Sequence, residues 1–387
     1  MTVVIVADVL GKENNGTTIA CMNLIRSLRA KGHNVRIVCA DQDKKGADGY
    51  YIVPAYNFGK ALNRYVQKNS VVIAKKDERT LEKAILNADV VHLPTPFGLA
   101  RAALKIAREH GIPVTASFHC QAQNLTSHLF LMNSALANKI VYRNFYNHVY
   151  QYVDAIHYPT DFIRKEFEQQ VHKTTNAYVI SNGVNAMYTK KAVQKPEALK
   201  DKFVILFIGR YSKEKTHKYL IKAVSQSRYR DRIQLIFAGT GPLEEKLLQL
   251  SEKYQINRPI MKFFSREELV DVINYSDLYC HPAQIEIEAI ACLEAITCGT
   301  VPVINNSPLS ATREFAICPE NLFAENDSND LAAKIDYWIE HKAEKDACAK
   351  KYLDYTVKFN QAACMEAMEQ MLVEVVERHE KKSAVLQ

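Results

Sequence analysis

Continuous apolar runs of strand length recur along this chain, with amphipathic stretches of helical period between them. VVIVADV at 3–9, VRIVCA at 35–40, VVHL at 90–93, PVTASFH at 113–119, AIHYP at 155–159 and AYVISNG at 177–183 form one series. FVILFIG at 203–209, QLIFAG at 234–239, LYCHP at 278–282 and VPVIN at 301–305 form a second. Strands that stay apolar instead of alternating are buried on both faces, the mark of parallel sheets covered by helices. The pattern therefore predicts an α/β protein with two doubly wound parallel sheets. The break between them falls after Asn182-Gly183, in MYTKKAVQKPEALKDK, where charge and a proline interrupt the periodicity. We divide the chain into 1–186, 187–360 and a closing helix 361–387, whose QAACMEAMEQMLVEVVERHEKK carries apolar residues at helical spacing. Open parallel sheets bind ligands outside the carboxyl ends of their strands, so an interdomain cleft served by loops of both sheets is expected.

Length and composition narrow the class. At 387 residues the chain exceeds what one core supports, which agrees with two domains. A hydrophobic content of 48% with 24% charged residues excludes disordered and fibrous proteins. Nine scattered cysteines without a CxxC pair suit a reducing compartment and no structural zinc. MTVVIVADVL reads as a strand at once, with no basic leader before it, and no apolar run approaches the roughly 20 residues of a spanning helix. These features lead us to expect a cytoplasmic protein. Residues 1–180 hold 22 Lys/Arg against 14 Asp/Glu, so the net charge of +7 sits on the first half. An anionic partner such as a membrane leaflet or a phosphorylated substrate fits that asymmetry, as do solvated surface lysines. No basic cluster is interleaved with a recognised nucleic-acid module, so nucleic acid is not an expected partner.

Four segments carry candidate chemistry. GRYSKEK at 209–215 follows an apolar strand: Gly209 lets the chain turn, Arg210 offers a planar fork of donors, and Lys215 a mobile point charge, a set matched to a diphosphate. In EIEAIACLE, Glu286 and Glu294 lie at the edge of and within a helix expected to begin near Ile287 and to end at Gly299. Carboxylates there can accept hydroxyl hydrogen bonds while the helix N-terminus faces a phosphate. NNGTT at 14–18 places Gly16 between the first strand and the next helix, without the GxGxxG dinucleotide fingerprint. His119 ends a strand and should sit at the mouth of the first sheet. Each segment alone also fits a bland reading: a solvated basic turn, an acidic helix face, an ordinary strand-to-helix turn, a satisfied polar histidine.

Between His110 and Val153 there is no Asp or Glu, while Lys139, Arg143 and the aromatics Phe130, Tyr142, Phe145, Tyr146, Tyr150 and Tyr152 accumulate. Lys139, Arg143, Phe145 and Tyr146 could rest in the headgroup region of an anionic bilayer or line an acceptor site. A core helix with its aromatics turned inward is the competing arrangement.

In their order and spacing these motifs resemble the retaining GT-B glycosyltransferases of family 4. The resemblance runs over nearly the whole chain: the Gly16 loop and AKGHNV, His119, VISNGVN at 179–185, GRYSKEK, AGTGPLEEKL at 238–247, and Glu286 with Glu294. It implies two Rossmann-like domains, with the closing helix crossing back to the first. It also implies a UDP-sugar as donor, with Arg210 and Lys215 on its diphosphate, Glu294 on the ribose, and Glu286 and His119 at the sugar. Gly16, Gly209, Ala289 and Ile290 complete the donor-binding set that it implies, and no metal is required. Configuration at the sugar carbon would be kept by front-face attack without a protein nucleophile. The chain departs from the family where its glycines give way to Ile287, Glu288 and Ala289, to Thr216, and to NNSPLSAT at 305–312. SFHCQAQN, the basic aromatic stretch and IEIEAIACLEA look most like bacterial diacylglycerol glucosyltransferases. The implied function is hexose transfer, of glucose above all, to a lipid at the inner face of the cell membrane. A polysaccharide or small soluble acceptor, or a sugar-nucleotide-binding protein without turnover, are the alternatives.

Overall fold

The structure is a computed structural model that describes residues 1–8, 10, 16–56, 73–126, 131–132 and 134–386. Two compact units are present: Met1–Asn182 together with Ala362–Gln387, and Gly183–Gln361.

In the first unit the strands are β1 (Thr2–Val6), β2 (Asn34–Cys39), β3 (Tyr50–Ile52), β4 (Val90–Leu93), β5 (Val114–Ser117), β6 (Ala155–Tyr158) and β7 (Ala177–Val179). They form a parallel sheet in the order β3-β2-β1-β4-β5-β6-β7. The helices are α1 (Gly16–Ala30), α2 (Glu78–Ile85), α3 (Gly98–Glu109), α4 (Ala122–Thr126), α5 (Ala135–His148) and α6 (Asp161–Val171). Asp77, Ser134 and Thr160 cap α2, α5 and α6 by accepting from the N–H groups of Thr80, Ala137 and Ile163. Strands β4, β5 and β6 are buried at every residue, as their unbroken apolar sequences require.

The second unit repeats the plan with β8 (Phe203–Ile208), β9 (Ile233–Ala238), β10 (Ile260–Lys262), β11 (Leu278–His281), β12 (Pro302–Asn305) and β13 (Leu322–Phe323). Its parallel order is β10-β9-β8-β11-β12-β13. Helices α7 (His217–Gln226), α8 (Glu244–Lys253), α9 (Arg266–Tyr275), α10 (Ile290–Thr297), α11 (Ser328–Glu340) and α12 (Lys342–Tyr355) accompany it. In both sheets the strand order reverses beside the first strand, between β1 and β4 and between β8 and β11. Those reversals are where open α/β sheets receive ligands.

The closing helix, α13 (Gln361–Leu386), packs on the first unit. Cys364, Met365, Met368, Met371, Leu372 and Val375, spaced by three and four, join one core with Val3, Ile5, Leu24 and Ile37. Glu369 bonds Lys31 and His33, and Glu374 accepts from Tyr178 at 2.8 Å. No described helix is long and apolar enough to cross a membrane.

Candidate active site

The segment after β8 is shaped by its neighbour after β9. Gly209 N–H donates to the Ala238 carbonyl at 3.0 Å, Tyr211 N–H to Thr240 at 3.0 Å, and Leu243 N–H to Tyr211 at 3.1 Å. A Cβ on Gly239 would lie 2.2 Å from the Gly209 carbonyl oxygen, and one on Gly241 would lie 2.6 Å from the Tyr211 nitrogen. Only glycine allows that approach. AGTG is thus the platform on which Arg210 and Lys215 are mounted, at the point where the strand order reverses.

The segment after β11 is tied to the same turn. Gln284 N–H donates to the Glu214 carbonyl at 2.9 Å, the Thr216 hydroxyl donates to the Pro282 carbonyl, and Lys215 pairs with Glu286. From the other side, Asn305 Nδ2 donates to Pro282 at 3.0 Å, Ser307 Oγ to Gln284 at 2.8 Å and Ala311 N–H to Glu286 at 2.9 Å. Glu286 also bridges Ser310 in parallel register. The Asn and Ser side chains of NNSPLSAT therefore hold the glutamate loop in place.

Glu286 does not stand on the edge of a helix begun near Ile287. Helix α10 starts at Ile290, three residues later, because the pairing of Glu286 with Ser310 keeps that stretch extended and Ala289 turns with φ +58°. At the far end Gly299 has φ +76° and its N–H donates to the Ile296 carbonyl at 2.9 Å, closing the helix. The positions where the family resemblance would place glycine, Thr216 (φ +48°) and Ala289 (φ +58°), are both left-handed. The backbone keeps a glycine conformation with side chains that resist it, a β-branched one at Thr216.

Burial alone would raise the Glu286 carboxyl, but the Lys215 ammonium and the His281 hydrogen bond outweigh it and bring it down to about 2. Glu286 is ionised at every physiological pH, an acceptor and not an acid. Glu294, one turn into α10, is different: burial pushes it up to about 7, opposed by a hydrogen bond with Tyr188 and by Arg266. Ala289 and Ile290 stand at the start of α10. Beside Lys215, the buried His217 has no hydrogen-bond partner on either ring nitrogen among the described residues and is packed against Phe207, Tyr211 and Phe237. Burial holds it neutral, down to about 3.

His119 and Gly16 belong to the first unit. His119 follows β5 by two residues, and its carbonyl accepts from the Thr17 hydroxyl, in the first turn of α1, at 3.5 Å. Gly16 opens α1, and among the described residues nothing lies within 4 Å of where a Cβ would be. Asn14 and Asn15 lie outside the described residues. The His119 ring meets His157 edge-on, centroids 5.5 Å apart. Below it runs a buried chain: His157 Nε2 to the Ile180 carbonyl at 2.7 Å, His157 Nδ1 to Ser117 Oγ at 2.9 Å, Ser117 Oγ to His92 Nε2 at 2.9 Å, and His92 Nδ1 to Thr115 Oγ1 at 2.8 Å. A carbonyl can only accept, so His157 carries its proton on Nε2. Ser117 must then donate to His157, His92 to Ser117, and Thr115 to His92. Both rings are neutral, burial lowering His92 to about 3 and His157 to about 4. Burial likewise lowers His119 far below the ordinary range.

The basic aromatic stretch resolves into two faces of α5. Asn138, Tyr142 and Phe145 point inward and are buried, Phe145 edge-on to Phe97 with centroids 6.1 Å apart. Of the arrangements the sequence left open, Phe145 takes the inward-packed one, and Tyr146 is half-buried against Phe167. Lys139 is half-buried and Arg143 exposed. The outer face adds two residues that sequence reasoning missed, Leu136 at 71% and Ile140 at 59% exposure. Phe130 lies outside the described residues. His281 was also missed, although it closes the quoted LYCHP strand.

With this geometry in view, the chain belongs to the GT-B glycosyltransferases. Residues 14–187 match the family described as Glycosyltransferase Family 4, and residues 189–353 match Glycosyl transferases group 1. The Alpha-monoglucosyldiacylglycerol synthase of Acholeplasma laidlawii is 25% identical over 320 residues, 75% of this chain and 76% of its own. The crystal structure of Anabaena Alr3699/HepE in complex with UDP and glucose superposes with a TM-score of 0.75 at 16% identity, covering 97% of this chain and 100% of that one. The catalytic domain of cholesterol-alpha-glucosyltransferase from Helicobacter pylori is 44% identical over 41% of this chain and 99% of its own, with a TM-score of 0.40.

Proposed function

We propose that this glycosyltransferase moves glucose from a UDP-sugar to a lipid alcohol of the diacylglycerol type at the cytoplasmic face of a membrane, with retention of configuration. The observation that carries the donor half is the meeting of Lys215, Glu286 and Arg210's turn at the reversal of the second sheet. Arg210 and Lys215 neutralise the diphosphate as its charge develops, Glu294 takes the ribose, and the ionised Glu286 accepts from sugar hydroxyls. His119 donates to the sugar near its reacting face. The acceptor oxygen bonds to the anomeric carbon on the face from which the phosphate oxygen departs, and that phosphate oxygen takes the acceptor's proton, leaving UDP. Cationic side chains supply the charge that a metal supplies in other transferases, so this reading requires no metal.

The lipid half is supported by the diacylglycerol substrate in the name of the Acholeplasma relative and by the basic apolar face of α5. The test is UDP release by purified protein, with UDP- and GDP-sugars presented against vesicles containing diacylglycerol or a sterol and against soluble sugars. Release from UDP-glucose that depends on diacylglycerol vesicles is expected. Release only with soluble sugars, or none with any donor, overturns the proposal.

A further inference from the structure

The pair of Lys215 and Glu286 poses a problem of its own: the lysine meant for the diphosphate is already occupied by a carboxylate. When it turns to a ligand, Glu286 must be held by something else. Lys215 Nζ and His281 Nε2 both meet the same oxygen, Oε1, the histidine at 3.2 Å. Among the described residues nothing donates to Oε2. His281 is the last residue of β11, 1% exposed, with Phe207 edge-on at 5.6 Å fixing its ring plane. Its Nδ1 lies 3.0 Å from the Tyr279 hydroxyl, also buried.

We propose that His281 is a positioning residue for Glu286, held in one tautomer between that carboxylate and the Tyr279 hydroxyl, and that it retains Glu286 when Lys215 passes to the donor's phosphates. This rests on the reading that Glu286 meets the transferred sugar. An ionised Glu286 only accepts, so His281 carries its proton on Nε2 and accepts a hydrogen bond from the Tyr279 hydroxyl at Nδ1. Burial keeps the imidazole neutral. A neutral donor orients the carboxylate without adding a second cation that would compete with the Lys215 ammonium. With the histidine gone, Lys215 is the one side-chain donor left to Glu286 among the described residues, and Glu286 holds it against the diphosphate.

The test compares His281→Phe, His281→Gln and Tyr279→Phe in steady-state turnover of UDP-glucose. His281→Phe should lower kcat by about 10- to 100-fold, the worth of one hydrogen bond to a charged group. KM for the donor should rise in the same variant. Gln carries an N–H near the position of Nε2, so His281→Gln should recover most of the loss, which a purely structural role would not predict. Tyr279→Phe removes the hydrogen bond at Nδ1 that helps hold the ring in place, and should lower kcat by a smaller factor with KM nearly unchanged. If His281→Phe does not fold, the Gln and Tyr279 variants decide. Wild-type kcat in His281→Phe, a loss in His281→Gln as deep as in His281→Phe, or wild-type kcat in Tyr279→Phe overturns the inference. A wild-type protein that turns over no sugar nucleotide sinks the underlying function instead.

Discussion

Lys215 and Glu286, 71 residues apart in sequence, form an ion pair across the turns that follow β8 and β11, with side chains only 21% and 14% exposed. Removing one member of so enclosed a pair strands the other charge. Lys215→Met and Glu286→Gln should therefore each lower both turnover and the unfolding midpoint. Turnover should fall by about 100- to 1,000-fold, as when one electrostatic stabiliser is taken from a reacting site. Combining the two should restore much of the stability and none of the activity. Urea titration and UDP release read the cycle, and a double variant no more stable than its less stable parent refutes the pairing.

Thr216 and Ala289 separate two kinds of backbone strain. Ala289 has φ +58° and lines no hydrogen bond with its methyl group, so Ala289→Gly should stabilise the fold by about 1 kcal/mol, the cost of a left-handed alanine. Thr216 has φ +48°, but its hydroxyl donates to the Pro282 carbonyl, linking the two turns. Thr216→Gly relieves strain and loses that link, so it should leave stability unchanged or lower. Equal stabilisation by both substitutions, measured by chemical denaturation, would show that the hydroxyl contributes nothing.

The interior strands were legible because they are buried on both faces and read as unbroken apolar runs. Strands β3, β10 and β13 were not: they have three, three and two residues and each lies at a sheet edge, with one neighbour to satisfy and little apolar sequence to display. The chemistry shows the same divide. GRYSKEK and the glutamates were visible as charge following a strand, whereas the pairing of Lys215 with Glu286 depends on two loops meeting. Composition put the helix start at Ile287; the bridge to Ser310 overrides it. The aromatics of α5 were readable as either wall or surface, and only their spacing against Val149 and Asn138 turns Tyr142 and Phe145 inward.

With Glu294 on the ribose, as proposed, donor affinity should depend on pH. Its carboxyl, raised to about 7 by burial, keeps its proton in the folded chain after the unfolded chain has lost it at about 4.5. Stability therefore declines as pH rises from 4.5 to 7. Ribose hydroxyls donate best to the ionised form, so UDP-glucose affinity should rise between pH 6 and 8, by at most about tenfold per unit. Glu294→Gln should flatten that rise and remove the decline in stability. Calorimetric titration with UDP-glucose at several pH values checks it, and an equally steep rise in the Gln variant sinks the assignment.

His92 and His157 contribute to the acid sensitivity of the first unit. Their folded values, about 3 and about 4, lie below the ordinary 6.5, so the unfolded chain takes up protons first as pH falls. Their contribution is complete above pH 6.5 and is lost on descending through about 4 for His157 and about 3 for His92. For His157 the loss is of order 3 kcal/mol. His157→Gln keeps one donor and one acceptor but cannot be charged. Its stability should fall less steeply between pH 6 and 4.5, by about one proton's worth. Urea midpoints across that range provide the slope, and an unchanged slope removes the histidine from the account.

Leu136 and Ile140, one helical turn apart on the outer face of α5, stand at 71% and 59% exposure with Lys139 between them and Arg143 one turn on. Water does not favour two large apolar side chains side by side, but the interface of an anionic bilayer does, and the lysine and arginine then face headgroups. The inner face of the same helix is filled by Asn138, Tyr142 and Phe145, so the outer residues are not needed for packing. Leu136→Glu with Ile140→Glu should abolish flotation with vesicles of anionic phospholipid, while the unfolding midpoint stays near that of the wild type. Lys139→Glu and Arg143→Glu should each weaken binding by about 1 kcal/mol or more, and their effect should shrink as salt is raised. A double Glu variant that floats as well as the wild type would overturn the proposed membrane contact of α5.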